Sequence, residues 1–310
     1  MLTSSVGAVL FDNNPFVDEV LVYDAPWFLR KGEKSASKKL SLAKLASILR
    51  KKKFDLGLAP RGDLRENFLM KLAGISERVG YGITGGGFFL TQEVAYRKNA
   101  HESEASLDLL KAIGIRADRL KPQLFFSEEE RRAFEIRMRG WGLEPGVRYV
   151  GFQTHAGASS KNWESAHAST FLKNATDRFP KERVVLLGTD AKIVDGMVLD
   201  SSATRINLVG RTTLRELCLL MKYFKVFVGP DSGPTHLASA LGVSTLFLYS
   251  GTNSWTRWKP LAEDAVVLRK DVPCAPCALN VCNVQGHPCL SRITPEEVLE
   301  ALGQILAVVR

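Results

Sequence analysis

The sequence predicts an α/β protein, and three observations carry that prediction. Short β-branched runs alternate with helical patterns along most of the chain, as parallel sheets with crossover helices require. The 310 residues suffice for two domains with their own cores. A fresh strand–helix series begins after AIGIRADRLKPQ, which places a boundary near Lys121-Pro122. The expected architecture is two Rossmann-like, doubly wound domains, residues 1–122 and 123–310. They would face each other across a cleft, with ligand at the carboxyl ends of the strands. The last helix has the freedom to pack back on the N-terminal domain.

The elements follow in order. EVLVY (19–23) is the first strand candidate, and SLAKLASILRKKK and SLDLLKAIG are helical patterns. RYVGFQT (148–154), RVVLLG (183–188), KVFVG (225–229), STLFLYS (244–250) and AVVLRK (265–270) are further strands. Ser127 with Glu130 and Thr213 with Glu216 have capping-box spacing, in which each side chain serves the other residue's backbone N–H. Thr294, Pro295 and Glu297 open the last helix, EEVLEALGQILAVVR. No internal repeat or long low-complexity tract is visible.

At 45% hydrophobic and 24% charged residues, the composition is that of a soluble globular protein. No uninterrupted apolar run approaches the ~18–20 residues of a membrane span. MLTSSVGAVLFDNNPF has no basic region leading into an apolar core, so the expected compartment is the cytosol. The 42 Lys and Arg exceed the 33 acidic residues, a net charge of +9, which favours anionic partners. Basic residues concentrate at Lys31–Lys39 and Arg50–Lys53. No arginine-rich block with interleaved aromatics points to nucleic acid.

GPDSGPTHLASALG, residues 229–242, carries the most chemistry. It follows the strand KVFVG, turns at Asp231-Ser232-Gly233, and enters a helix through Pro234, whose missing N–H has no partner to lose there. The N–H groups of Gly233, Thr235 and His236 then point out of the helix N-terminus, a ready anion site. A serine-nucleophile reading fails on context. The trypsin-like Asp-Ser-Gly belongs to an all-β fold, and the α/β-hydrolase elbow needs G-x-S-x-G spacing. Taken alone, the stretch could equally be an ordinary helix start with Ser232 as cap.

Its surroundings decide the matter. LVGRTTLRELCLLMKYFKVFVGPDSGPTHLASALGVSTLFLYSGTNSWTRWKP resembles glycosyltransferase family nine, the ADP-heptose:lipopolysaccharide heptosyltransferases. NPFVDEVLVYD, KKFDLGLAPRGD, RVGYG, LLKAIGI, SSKNW and LLGTD resemble other parts of that family's pattern, so the resemblance covers nearly the whole chain. It implies a GT-B fold with the nucleotide-sugar donor mainly in the C-terminal domain and the acceptor at the N-terminal one. It implies an inverting reaction with no metal or other cofactor, in which negative charge builds on a leaving diphosphate and preorganised donors must meet it.

The resemblance also places residues. Ser232, Gly233, Thr235 and His236 would lie near the diphosphate and donor sugar, and Asp231, itself anionic, would accept from sugar hydroxyls. Lys161 in Ser-Ser-Lys-Asn-Trp matches a Lys-x-Trp pattern and supplies a point charge for phosphate. THAGASS, with Thr154 and Ser159, follows a strand and is rich in small residues, so its backbone could approach phosphate. Asp190, just past a strand end, would take the ribose hydroxyls, and Thr212 would lie near the adenine. Trp163 reads as packing.

Family members usually open with a strand, a Gly-Asp turn and a helix, the Asp being the presumed general base. MLTSSVGAVLFDNNPFVDEV resembles the second such unit and not the first. The N-terminal domain is therefore expected to lack its first β-α unit, the catalytic base is unassigned, and little or no transferase activity is expected of these 310 residues. Nothing singles out Asp12, Asp24 or Asp63 as a substitute.

Cys274, Cys277, Cys282 and Cys289 are spaced C-x2-C-x4-C-x6-C. With His287 nearby they suit tetrahedral zinc, but the uneven spacing favours a loop of reduced thiols, disulfides being disfavoured in a reducing compartment. Cys218, inside a helical pattern, reads as core. The function implied by the resemblance is transfer of a heptose from an ADP-sugar to a lipopolysaccharide core or lipid A precursor, by a cytoplasmic protein peripheral on the inner face of the inner membrane. A nucleotide-sugar-binding remnant, or a GT-B transferase using another nucleotide sugar, remains open beside it.

Overall fold

A computed structural model describes residues 1–27, 40–116, 122–195 and 204–309. The basic stretch Lys31–Lys39 lies outside the described residues. The chain divides into two compact units. The first comprises Met1–Ala8, Val17–Lys121 and Thr256–Lys259; the second comprises Val9–Phe16, Pro122–Trp255 and Pro260–Arg310.

The first unit contains β1 (Leu2–Thr3), α1 (Ser5–Ala8), β2 (Leu21–Val22), α2 (Leu42–Lys51), β3 (Leu56–Ala59), α3 (Leu64–Leu72), β4 (Glu77–Gly80), β5 (Gln92–Glu93) and α4 (Glu102–Ala112). Its strands pair in parallel as β1–β2 and as β3–β4–β5. Leu45, Leu49, Ala59, Leu69 and Met70 bring α2, β3 and α3 into one core.

The second unit contains α5 (Glu128–Gly140), β6 (Tyr149–Gln153), α6 (Ser165–Arg178), β7 (Val184–Leu187), α7 (Ala191–Asp195), β8 (Arg205–Asn207), α8 (Leu214–Leu220), β9 (Phe224–Pro230), α9 (Gly233–Ala240), β10 (Ser244–Tyr249), α10 (Trp255–Trp258), β11 (Val266–Arg269), α11 (Pro288–Ser291) and α12 (Pro295–Val308). Helix α10 straddles the division, since Thr256–Lys259 clusters with the first unit. Six parallel strands form one sheet in the order β11-β10-β9-β6-β7-β8. This is a doubly wound order, whose winding reverses between β6 and β9.

Helices cover both faces of that sheet, which is why its strands read as unbroken apolar runs. On one face, Val150, Phe152, Val184, Leu186, Val226 and Val228 meet Phe171 and Leu172 of α6. On the other, Tyr149, Val185, Leu187, Phe224 and Phe227 meet Phe134 and Met138 of α5 and Leu217 of α8. Cys218 of α8 is fully buried, and burial pushes its thiol up to about 11. The last helix lays its apolar stripe within the second unit. Val298, Leu299, Leu302 and Ile305 of α12 are buried in the core that α6 covers.

The helix starts are built as their sequences predict. Ser127 with Glu130, Thr213 with Glu216 and Thr294 with Glu297 all close capping boxes. Glu130 has a second duty. Arg215 donates to both its carboxylate oxygens, at 2.8 and 3.0 Å, and to the carbonyls of Val9, Asp12 and Phe125. That guanidinium also lies 4.3 Å from the Phe126 ring centroid. One cation therefore fixes Val9–Phe16 against α5 and α8. The Arg215 hydrogen bond holds the Glu130 carboxyl below the usual range. Among the described residues no helix is long and apolar enough to cross a membrane.

Phe171 is fully buried while Ile136 is 72% exposed. Phe171→Ala is therefore expected to cost about 3–5 kcal/mol. Ile136→Ala should stay within about 0.5 kcal/mol. Urea denaturation of the two variants checks the contrast.

Candidate active site

The carboxyl ends of β6 and β9 lie side by side at the reversal point, and the polar residues of the second unit gather there. β9 is an apolar run ending at Pro230, and Gly229 in it makes the close approach of α9 possible. A Cβ on Gly229 would stand 2.6 Å from the Thr235 hydroxyl and 3.1 Å from Gln153 Cβ. Asp231 and Ser232 form the turn, and α9 begins at Gly233 with Pro234 in its first turn. His236 N–H returns to the Ser232 carbonyl at 3.1 Å. It is therefore spent within the helix and is not offered outward as the sequence suggested. The N–H groups of Gly233 and Thr235 have no hydrogen-bond acceptor among the described residues, so they carry the open positive end of the helix.

Asp231 is the centre of the cluster. Its side chain is 1% exposed. Three donors already engage it. Lys161 Nζ lies 3.0 Å from Oδ2 and 3.0 Å from the Asp231 carbonyl. Asn253 Nδ2 donates to Oδ2 at 2.7 Å, and His236 Nε2 lies 3.0 Å from Oδ1. Burial works to raise the Asp231 carboxyl, but the His236 hydrogen bond and the Lys161 charge outweigh it and hold it below the usual range. The carboxylate thus organises a lysine, a histidine and an amide around the mouth of α9. Lys161 is held in an ion pair here, with its side chain 17% exposed.

Gln153, which the sequence reading passed over, joins the two strand ends. Its Oε1 accepts from Ser232 Oγ at 2.8 Å and lies 3.2 Å from Thr235 Oγ1, while its Nε2 donates to the His155 carbonyl at 2.7 Å. The one Thr235 hydroxyl proton goes to the Pro230 carbonyl at 2.7 Å. An amide cannot take a proton from Ser232, and His236 is turned to Asp231. Among the described residues Ser232 therefore hydrogen-bonds to no base that would make it a nucleophile.

The other expected residues are distributed differently. Thr154 is buried, and its hydroxyl donates to the Leu187 carbonyl at 3.0 Å, so it serves the fold. His155, also unforeseen, is buried and links β6 to the loop after β7. Its Nδ1 lies 2.9 Å from Thr154 Oγ1, and its Nε2 accepts from Asp190 N–H at 3.3 Å. Because Thr154 Oγ1 already donates, the Nδ1–H tautomer satisfies this arrangement. Burial lowers the imidazole pKa, with a smaller opposing pull from Asp190. Asp190 itself is exposed and accepts from Lys192 N–H at 3.0 Å, starting α7. Thr212 is half-buried in the loop before α8, next to the capping Thr213. Hydrogen bonds join neither Asp190 nor Thr212 to the Asp231 cluster among the described residues. Ser159 is exposed and its hydroxyl donates to the Asn280 carbonyl at 3.3 Å. Trp163 is buried and donates to the Ile293 carbonyl at 2.9 Å.

The five cysteines are free thiols: Cys218 and Cys289 buried, Cys274 exposed, Cys277 and Cys282 half-buried. Among the described residues no three His, Cys, Asp or Glu side chains come together as a metal site.

What the assembled residues can do is hold an anion. An open helix N-terminus, a lysine and a histidine converge where a doubly wound sheet binds its ligands. Comparison with known proteins points the same way. Residues 42–287 match the family model described as Glycosyltransferase family 9 (heptosyltransferase). Lipooligosaccharide heptosyltransferase 2 of Campylobacter jejuni serotype O:2 is 27% identical over 172 residues, 53% of this chain and 50% of that protein. The chain thus spans about half the length of that relative. Lipopolysaccharide heptosyltransferase 2 of Escherichia coli K12 is 26% identical over 287 residues, covering 85% of this chain and 78% of its own. Two solved structures share the fold. The E. coli ADP-heptose lps heptosyltransferase II has a TM-score of 0.77 at 24% identity, covering 99% of this chain and 88% of its own. A glycosyl transferase family 9 protein of Veillonella parvula has a TM-score of 0.81 at 19% identity, with 99% and 87% covered.

Two outcomes test the geometry. Asp231→Asn leaves Lys161 beside an uncharged partner in a buried place and is expected to destabilise by on the order of 3 kcal/mol, read by chemical denaturation. For His155, a folded pKa below the unfolded value means that the unfolded chain takes up the proton first on acidification. Stability should therefore fall as pH drops below about 6.5, the ordinary imidazole value. A His155→Gln variant should lack the slope between about pH 6.5 and 5.5 that the parent shows in denaturation at the two values.

Proposed function

The chain belongs to glycosyltransferase family 9, and from that premise we propose that it transfers a heptose from ADP-heptose to a lipopolysaccharide core acceptor. The observation that carries this reading is the convergence of Lys161, His236 and the α9 N-terminus on one side of β6 and β9, braced by Asp231. A nucleoside diphosphate is the anion that such a cluster suits. Its phosphates would meet the Gly233 and Thr235 N–H groups and the Lys161 ammonium, and its nucleoside would extend towards Asp190 and Thr212.

In the reaction the acceptor hydroxyl oxygen forms a bond to the anomeric carbon as the bond from that carbon to the diphosphate breaks, with inversion. The electron pair leaves with ADP, and the acceptor proton passes to a base. Charge on the diphosphate oxygens rises as the bond breaks, so fixed donors stabilise the transition state more than the ground state. With such donors supplied by the protein, no metal is called on. The net charge of +9 supports an anionic acceptor at the inner face of the inner membrane, with the protein peripheral to it.

Calorimetry with ADP should show one site per chain whose affinity is unchanged by EDTA. Lys161→Ala should weaken ADP binding by about tenfold or more in the same measurement, the scale of a lost charge-assisted phosphate contact. Failure of ADP to bind, or its loss on chelation, would overturn the reading.

A further inference from the structure

The cysteine-bearing segment between β11 and α11 contributes no side chain to the Asp231 cluster, yet it grips the two turns that do. Ser160, 1% exposed, is its first anchor. Ser160 N–H donates to the Asn280 carbonyl at 3.1 Å, and its hydroxyl donates to the Leu279 carbonyl at 2.5 Å. His287 closes the third contact, with Nε2 2.9 Å from the Ser160 carbonyl. A carbonyl only accepts, so Nε2 carries the proton. The second anchor is Gly251-Thr252: Cys277 N–H donates to the Gly251 carbonyl at 3.0 Å and Ala278 N–H to the Thr252 carbonyl at 2.9 Å. Thr252 Oγ1 in turn lies 3.3 Å from Ser160 Oγ, which joins the anchors.

The two gripped residues each precede a donor to Asp231. Ser160 is followed by Lys161 and Thr252 by Asn253, and both donors bond the same oxygen, Oδ2. We propose that the segment Val272–Leu290 is the outer brace of the diphosphate-binding turn, and that His287 is its positioning residue, acting through Ser160 on Lys161. The proposal rests on the donor reading of this site. Its chemistry is simple. A lysine stem has several rotatable bonds, and its charge is worth most to a phosphate when the backbone beneath it cannot shift. His287 holds a left-handed backbone conformation, φ 45°, ahead of Pro288, so its ring is aimed from a sharply turned position where few residues sit comfortably. Asn280 and Leu279 contribute through backbone carbonyls alone, which leaves the His287 ring as the part of the brace that a substitution can remove.

The test compares ADP and adenosine binding by calorimetry in the wild-type chain, His287→Ala and His287→Gln. The expected result is about a tenfold loss of ADP affinity in His287→Ala, the scale of one lost buried hydrogen bond, with adenosine affinity unchanged. His287→Gln, which keeps an N–H donor, should recover most of the loss. Equal ADP affinity in wild type and His287→Ala would overturn the proposal alone. An equal loss for ADP and adenosine would also overturn it, since that is the mark of a merely unfolded site. Absence of ADP binding by the wild type would overturn the donor reading, and the brace with it.

Discussion

A carboxylate taken out of water must be compensated where it stands, because an unpaired buried charge costs several kcal/mol. Asp231 imposes that requirement at the one place in the second unit where the sheet reverses its winding. Its compensation comes from three separate segments: the turn after β6, the first turn of α9 and the loop after β10. Each could fold locally in several ways; only an arrangement that brings all three to Asp231 leaves the charge satisfied. Gln153 and Gly229 belong to the same constraint, one by tying the α9 hydroxyls to β6 and the other by leaving room for them.

The constraint and the proposed chemistry coincide. Groups that must face an internal anion are already oriented, and already desolvated in part, when an external anion arrives. In the proposed reaction the diphosphate would meet a lysine, a histidine and two backbone N–H groups that need little reorganisation, which is the condition under which fixed dipoles and charges lower a barrier. The same geometry disfavours the competing chemistry suggested by an Asp-Ser-Gly triplet, because Ser232 donates to an amide oxygen and among the described residues hydrogen-bonds to no base.

The second unit was largely legible in the sequence because its strands are covered on both faces, so β6, β7, β9, β10 and β11 each stand out as apolar runs. The three-residue β8 and the strands of two to four residues in the first unit are too short for a periodic signal, and β3 and β4 each contain a glycine. Helix starts were legible because a capping box is a local, three-residue relation. The site was legible where chemistry is local, in the strand–turn–helix of residues 225–240 and in Lys161. It was not legible where pairing is distant. Gln153 meets Ser232 and Thr235 across 79 and 82 residues, and His155 meets Asp190 across 35. The partners that surround Asp231, Lys161 and Asn253, stand 70 and 22 residues away, so only the folded chain brings them near.

Cys218 gives the chain an unusual practical property. Sealed under the sheet with its thiol pushed up to about 11, it is protonated and unreachable at neutral pH. Cys289 is buried as well, so reagents that seek thiolates have only Cys274, Cys277 and Cys282 to find among the five. All three lie in the segment that braces the Lys161 turn. An ordinary fluorescent maleimide would therefore place its dye on that segment without any engineered cysteine.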